Sequence, residues 1–133
     1  MSESVPMAMQ RILRERAARR CEYCLAHETD SFLPHEPDHI ISEKHGGPTT
    51  LENLAWSCWE CNRRKGSDLS SVDLETGRVV RLFHPRQDRW ESHFQLVDGR
   101  IIPQTEIGRV TEYFLQMNRR RAASARQFPT AES

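Results

Sequence analysis

All four cysteines of this 133-residue chain fall in two CxxC pairs, Cys21/Cys24 and Cys58/Cys61. A two-residue gap lets both sulfurs of a pair point at one ion from a tight turn. Two such pairs supply the four soft ligands of a closed tetrahedral zinc site. Disulfides and a redox CxxC are the competing readings. A redox pair needs only one motif and a thioredoxin-like unit around it, and nothing else here resembles one. Disulfides fit poorly with the cytoplasmic location expected for a start, MSESVPMAMQRILRER, that lacks the apolar core of a secretory signal. Structural zinc is the expectation. It would tie the end of the first helix to the segment around residue 60 and supply folding energy that a modest core lacks.

Between the pairs lies DHIISEKHGGPTTLENLAWSCWECNRRKG, residues 38–66. The order Asp-His, Gly-Gly, Asn-Leu, CxxCN and Lys-Gly resembles the HNH endonucleases with a ββα-metal fold. The resemblance continues through LFHPRQDRWESHF (82–94) and Gln116-Met117-Asn118-Arg119, a pattern similar to small stand-alone bacterial HNH proteins. It implies that His39 is the first motif histidine, Asn53 the motif asparagine and Asn62 the last motif position, where many members carry histidine. These three make up the expected catalytic set. A neutral imidazole is a suitable base near pH 7, so His39 would take a proton from water. Asp38 and Asn62 offer oxygen ligands to one hard divalent cation, with Mg²⁺ expected and Mn²⁺ or Ni²⁺ as further candidates. Asn53 is expected to pin the loop that orients His39. His35, Glu36 and His45 stand beside these positions as candidate supporting groups. The implied partner is DNA.

Charge supports that partner through its distribution. Nineteen basic and nineteen acidic residues cancel to a formal net charge of zero. Yet residues 11–20 hold five arginines against one glutamate, whereas 21–43 hold six acids and no Lys or Arg. Arg63, Arg64 and Lys65 form a second basic cluster, expected to contact phosphate because it follows Asn62. Arg119, Arg120, Arg121 and Arg126 form a third. Solvated helix faces are the bland alternative for the terminal clusters. His27, His84 and His93 read as ordinary surface or packing histidines, and Trp56, Trp59 and Trp90 as packing rather than base-stacking groups.

The elements that must position these residues are short. Met9, Ile12, Leu13 and Ala17 recur at helical spacing and predict an amphipathic helix over 7–20. Short strands are expected at 38–42 and 54–57, and a turn into a short helix capped by Gly66 at 58–66. A strand is expected at 79–83, then a hairpin 94–97/100–103 around Asp98-Gly99. Ile107, Val110, Phe114 and Met117 predict a closing helix over about 105–122. The fold class is therefore α+β: a single domain with an HNH-type core at 21–66, a terminal extension at 67–122 and a disordered tail at 123–133. No apolar run approaches the roughly 20 residues of a membrane span. A zinc-ribbon-like nucleic-acid-binding module without catalysis is the first rival reading, and the joint presence of Asp38, His39 and Asn62 argues against it. A protein-interaction domain is the second, and it leaves the basic clusters unexplained.

Overall fold

The structure is a computed structural model and describes residues 4–119. The expectations for Arg120, Arg121, Arg126 and the tail at 123–133 lie outside the described residues. The chain runs through α1 (Met7–Arg16), β1 (Glu36–His39), β2 (Leu54–Ser57), α2 (Trp59–Lys65), β3 (Ser70–Val72), β4 (Val79–Arg81), α3 (Trp90–His93), β5 (Phe94–Val97), β6 (Arg100–Pro103) and α4 (Glu106–Leu115). The strands form three separate antiparallel ribbons, β1 with β2, β3 with β4 and β5 with β6. The mixed α+β class expected from the sequence is present, and the β1–β2 ribbon followed by α2 makes the expected ββα arrangement.

Helix α1 buries Leu13 against Leu54 and Trp56, with Met9 and Ala17 packed beside them. It stops at Arg16, four residues short of the expected end. Ala18 and Arg19 take left-handed conformations (φ 53° and 63°), and Arg20 pairs with His27 across the Cys21–Cys24 turn. That reversal brings Cys21 inward.

Strand β1 begins two residues earlier than expected and ends three earlier. Pro37 is tolerated in a two-stranded ribbon because it needs no second ladder partner, and it pairs opposite Trp56. The register carries on to Ile40, whose N–H donates to the Asn53 carbonyl, and is broken at Ile41, whose N–H donates to the Asn53 side-chain Oδ1 instead. Helix α2 begins where expected, with Cys58 as its N-cap, and closes at Gly66 (φ 54°).

The β5–β6 hairpin has the expected register, and its Asp98-Gly99 turn has φ 50° and 81°, the paired positive values of a type I′ turn. Strand β3 and the single turn α3 carry no sequence signal strong enough to stand out. Helix α4 starts at the Thr105 cap, whose hydroxyl accepts from Gly108 N–H, and ends at Leu115 rather than near 122. Gln116 is left-handed there (φ 53°), and the Asn118 amide bonds both the N–H and the carbonyl of Ile101, each at 2.8 Å. Tyr23, Phe83, Phe94, Ile101, Leu115 and Met117 form one core around the four cysteines, with Trp90 packed against it.

Candidate active site and metal centre

The four cysteine side chains converge. All are buried, and their sulfurs lie within 4.8 Å of one another. Cys24 Sγ and Cys58 Sγ are 3.8 Å apart. Zinc–sulfur bonds of about 2.3 Å give a tetrahedron with edges of about 3.8 Å, so the donor set and its spacing fit zinc. The local backbone supports ionised sulfur. Cys21 Sγ accepts from the N–H groups of Tyr23 and Cys24, each at 3.4 Å, and Cys58 Sγ accepts from Cys61 N–H at 3.3 Å at the start of α2.

A cleft of about 880 Å³ opens on the other side of β1 and α2. Glu36, Asp38 and His39 from β1 line it together with Asn62 from α2, Lys44 from the following loop and Val5 and Gln10 from the start of the chain. Asp38 is 4% exposed. Its Oδ2 accepts from the Tyr23 hydroxyl at 2.7 Å and faces Lys65 Nζ at 3.5 Å. Burial pushes the Asp38 carboxyl above its usual range, against the pull of Lys65, Tyr23 and His39. Burial, followed by the charge of Asp38, also raises the Tyr23 phenol well above its usual value, so Tyr23 remains a donor. Both contacts fall on Oδ2, and Oδ1 takes no hydrogen bond among the described residues.

His39 is held at its far nitrogen. Nε2 lies 2.9 Å from Thr49 Oγ1, and the backbone carbonyl of His39 accepts from Lys65 Nζ at 3.2 Å. Asn53, 6% exposed, has its amide committed to the loop around His39. Nδ2 donates to the carbonyls of Ile41 and Pro48 at 2.9 and 2.8 Å, while Oδ1 accepts from Ile41 N–H at 3.0 Å. These bonds tie Asn53 to both ends of the loop between Ile41 and Pro48. Gly47 closes the same loop. A Cβ there would sit 1.7 Å from the Ile41 carbonyl oxygen, so no other residue fits without moving the backbone.

Asn62 Nδ2 donates to Glu36 Oε2 at 2.7 Å, which leaves the Asn62 carbonyl oxygen turned away from that carboxylate. Of the three candidate supporting groups, only Glu36 reaches the cleft. His35 Nε2 meets the Ala26 carbonyl at 2.8 Å, and His45 Nε2 meets the Ser67 carbonyl at 3.1 Å.

The basic clusters divide sharply. Arg63 and Arg64 are exposed, with the Arg63 guanidinium 4.6 Å above the Trp59 ring. Lys65 is 2% exposed and engaged by Asp38 and His39, so the phosphate contact expected of it is corrected to an internal ion pair. Several terminal arginines are also used internally. Arg14 pairs with Glu28, Arg16 donates to the carbonyls of Leu51 and Leu54, and Arg20 donates to that of Leu25. Arg119 turns onto the cysteine sulfurs. Tyr23, Thr49 and Arg119 are the neighbours that sequence reading missed. Each reaches its partner across 10 or more residues with no local pattern to mark it.

The β1–β2 ribbon followed by α2 makes a ββα arrangement, and four converging cysteines join the start of α2 to the turn after α1. Residues 21–68 match the family model described as HNH endonuclease, and the matched segment includes the four cysteines that converge on one another. No curated protein and no solved structure matches the chain.

Proposed function

We propose that the protein is a metal-dependent endonuclease that hydrolyses phosphodiester bonds in DNA. The observation that carries this reading is the cleft that gathers Asp38, His39 and Asn62 within the HNH-matched segment. In the tautomer where Nε2–H donates to Thr49 Oγ1, His39 keeps a lone pair on Nδ1, and this nitrogen takes the proton of the attacking water. Lys65 on the His39 carbonyl and Asn53 on Ile41 support the backbone that carries that imidazole. Asp38 and the Asn62 amide would hold a divalent cation, and their hard oxygen donors suit an ion such as Mg²⁺. When bound, that ion supplies charge stabilisation at the phosphate and at the departing 3′ oxygen. Arg63 and Arg64 steady the flanking backbone phosphates.

The chemistry is tested with supercoiled plasmid and purified protein in Mg²⁺, Mn²⁺, Ni²⁺ or EDTA. Cleavage is expected with at least one metal and none in EDTA. His39→Ala is expected to lower the rate by about 10²–10⁴ while DNA binding persists. A His39→Ala variant that cuts as fast as wild type overturns the assignment of the base.

One observation favours a second reading, a non-catalytic zinc-ribbon-like nucleic-acid-binding module: Asp38 is already engaged by Tyr23 and Lys65. Wild-type protein that binds DNA yet stays inactive with every metal selects that module.

A further inference from the structure

The segment after α4 is fastened before it reaches the cysteines. Met117 is fully buried, and Asn118 is bonded to both polar groups of the Ile101 backbone. The next residue, Arg119, then lies across the sulfur cluster. Its Nη2 is 3.0 Å from Cys58 Sγ and 3.4 Å from Cys24 Sγ, and its Nη1 is 3.8 Å from Cys61 Sγ. Glu60 Oε1 lies 3.6 Å from Nη2, and the side chain is 12% exposed. Cys21 makes no such contact and instead takes two backbone N–H groups. Arg119 thus adds side-chain N–H groups at Cys58, Cys24 and Cys61 and none at Cys21.

Four thiolates around one Zn²⁺ leave an excess of two negative charges in a buried site. Excess charge out of water is costly unless a cation lies close. Hydrogen bonds to ligand atoms also set how basic and how reactive those ligands are. A planar guanidinium suits the task because several N–H groups diverge from one delocalised charge. We propose that Arg119 is the charge cap of the four-cysteine zinc centre, shielding Cys58 and Cys24 from electrophiles and tying the segment after α4 to the metal site. It is a positioning residue that acts through the thiolates. The inference rests on zinc at the cysteines and stands apart from the nuclease reading.

The test uses zinc-loaded full-length chain as wild type, Arg119→Met and Arg119→Lys. Iodoacetamide forms a sulfur–carbon bond with loss of iodide, zinc release is followed with a coloured chelator, and peptide mass spectrometry locates each modified cysteine. Arg119→Met is expected to release zinc roughly 10-fold faster than wild type. Its early modification falls on Cys58 and Cys24 ahead of Cys21, and Arg119→Lys recovers part of the protection. Should Arg119→Met fail to fold, Arg119→Lys carries the test through the same ordering of cysteines, with a smaller rise in rate. Zinc release at the wild-type rate overturns the proposal. So does a rise that is equal at Cys21, which marks general loosening, or wild-type protein that folds without zinc.

Discussion

Asp38 and Lys65 meet with side chains 4% and 3% exposed, at the point where β1 leaves its ribbon. A buried pair of this kind gains little over an apolar replacement, but stranding one partner is expensive. Lys65 also donates to the His39 carbonyl, so it links the candidate metal ligand to the candidate base. Lys65→Met is therefore expected to lower unfolding stability by about 3 kcal/mol in urea titration, since it leaves the Asp38 charge buried without its cation. Adding Asp38→Asn to Lys65→Met is expected to restore part of that loss. A single variant as stable as wild type would show that Lys65 has no such duty. Arg63, two positions earlier on the same helix, lies over Trp59 at the surface. Adjacent residues in a basic run thus hold opposite environments because α2 has one face on β1 and one in water.

At the scale of elements, carboxylates on both sides anchor the β3–β4 ribbon to α4: Glu106 of α4 takes Arg78 and Thr76, and Asp73 of the ribbon's turn takes Arg109. Asp73 accepts from Glu75 N–H and from the Thr76 hydroxyl within its own turn, and pairs with Arg109 of α4 at 2.9 Å. Hydrogen bonding from Arg109 is the main reason that the Asp73 carboxyl is pulled down to about 2. A folded-state value below the unfolded one means that the ion pair stabilises the protein above the unfolded pKa and is lost as pH falls through the folded one. The window runs from about 4, the ordinary aspartate value, down to about 2. Thermal midpoints of wild type and Asp73→Asn are expected to differ by a constant amount above that window and to converge within it. A gap that is already closed at neutral pH would remove this anchor from the fold.

For the molecule as a whole, the sulfur cluster joins parts that the three small ribbons cannot. The turn after α1, the start of α2 and the segment beyond α4 all meet there, and the aromatic core packs around it. No sheet among the described residues exceeds two strands, an assembly that is marginal without further support. The purified protein is expected to carry about one zinc per chain, with strong chelators causing cooperative loss of structure by circular dichroism. Cys58→Ser is expected to destabilise broadly, because three thiolates do not close the site and the α2 cap is changed as well. A well-folded preparation without zinc would refute this. Surface charge acts at the same scale. If Arg63 and Arg64 each meet a phosphate, replacing either with alanine makes the logarithmic salt dependence of DNA binding shallower by roughly one unit. An unchanged slope would place the DNA elsewhere.

Features whose information is local could be read from the residues alone. Paired CxxC spacing marked the four sulfurs, Asp98-Gly99 marked a hairpin turn that needs positive φ at both residues, and Asp-His, Asn and CxxCN in order marked the ββα segment. Gly47 belongs with these, because the Ile41 carbonyl leaves no room for a side chain at that site of the loop. Tertiary structure decided where helices stop and which side of an element each charge occupies. Helices α1 and α4 end early because contacts made beyond their last turn outweigh helical periodicity, Arg20 with His27 in one case and Asn118 with Ile101 in the other. The arginine and lysine runs look alike in one dimension. Burial of Lys65 beside Asp38 and of Arg119 beside the thiolates depends on partners 27 to 95 residues away, and only folding brings those opposite charges close enough to outweigh the cost of leaving water.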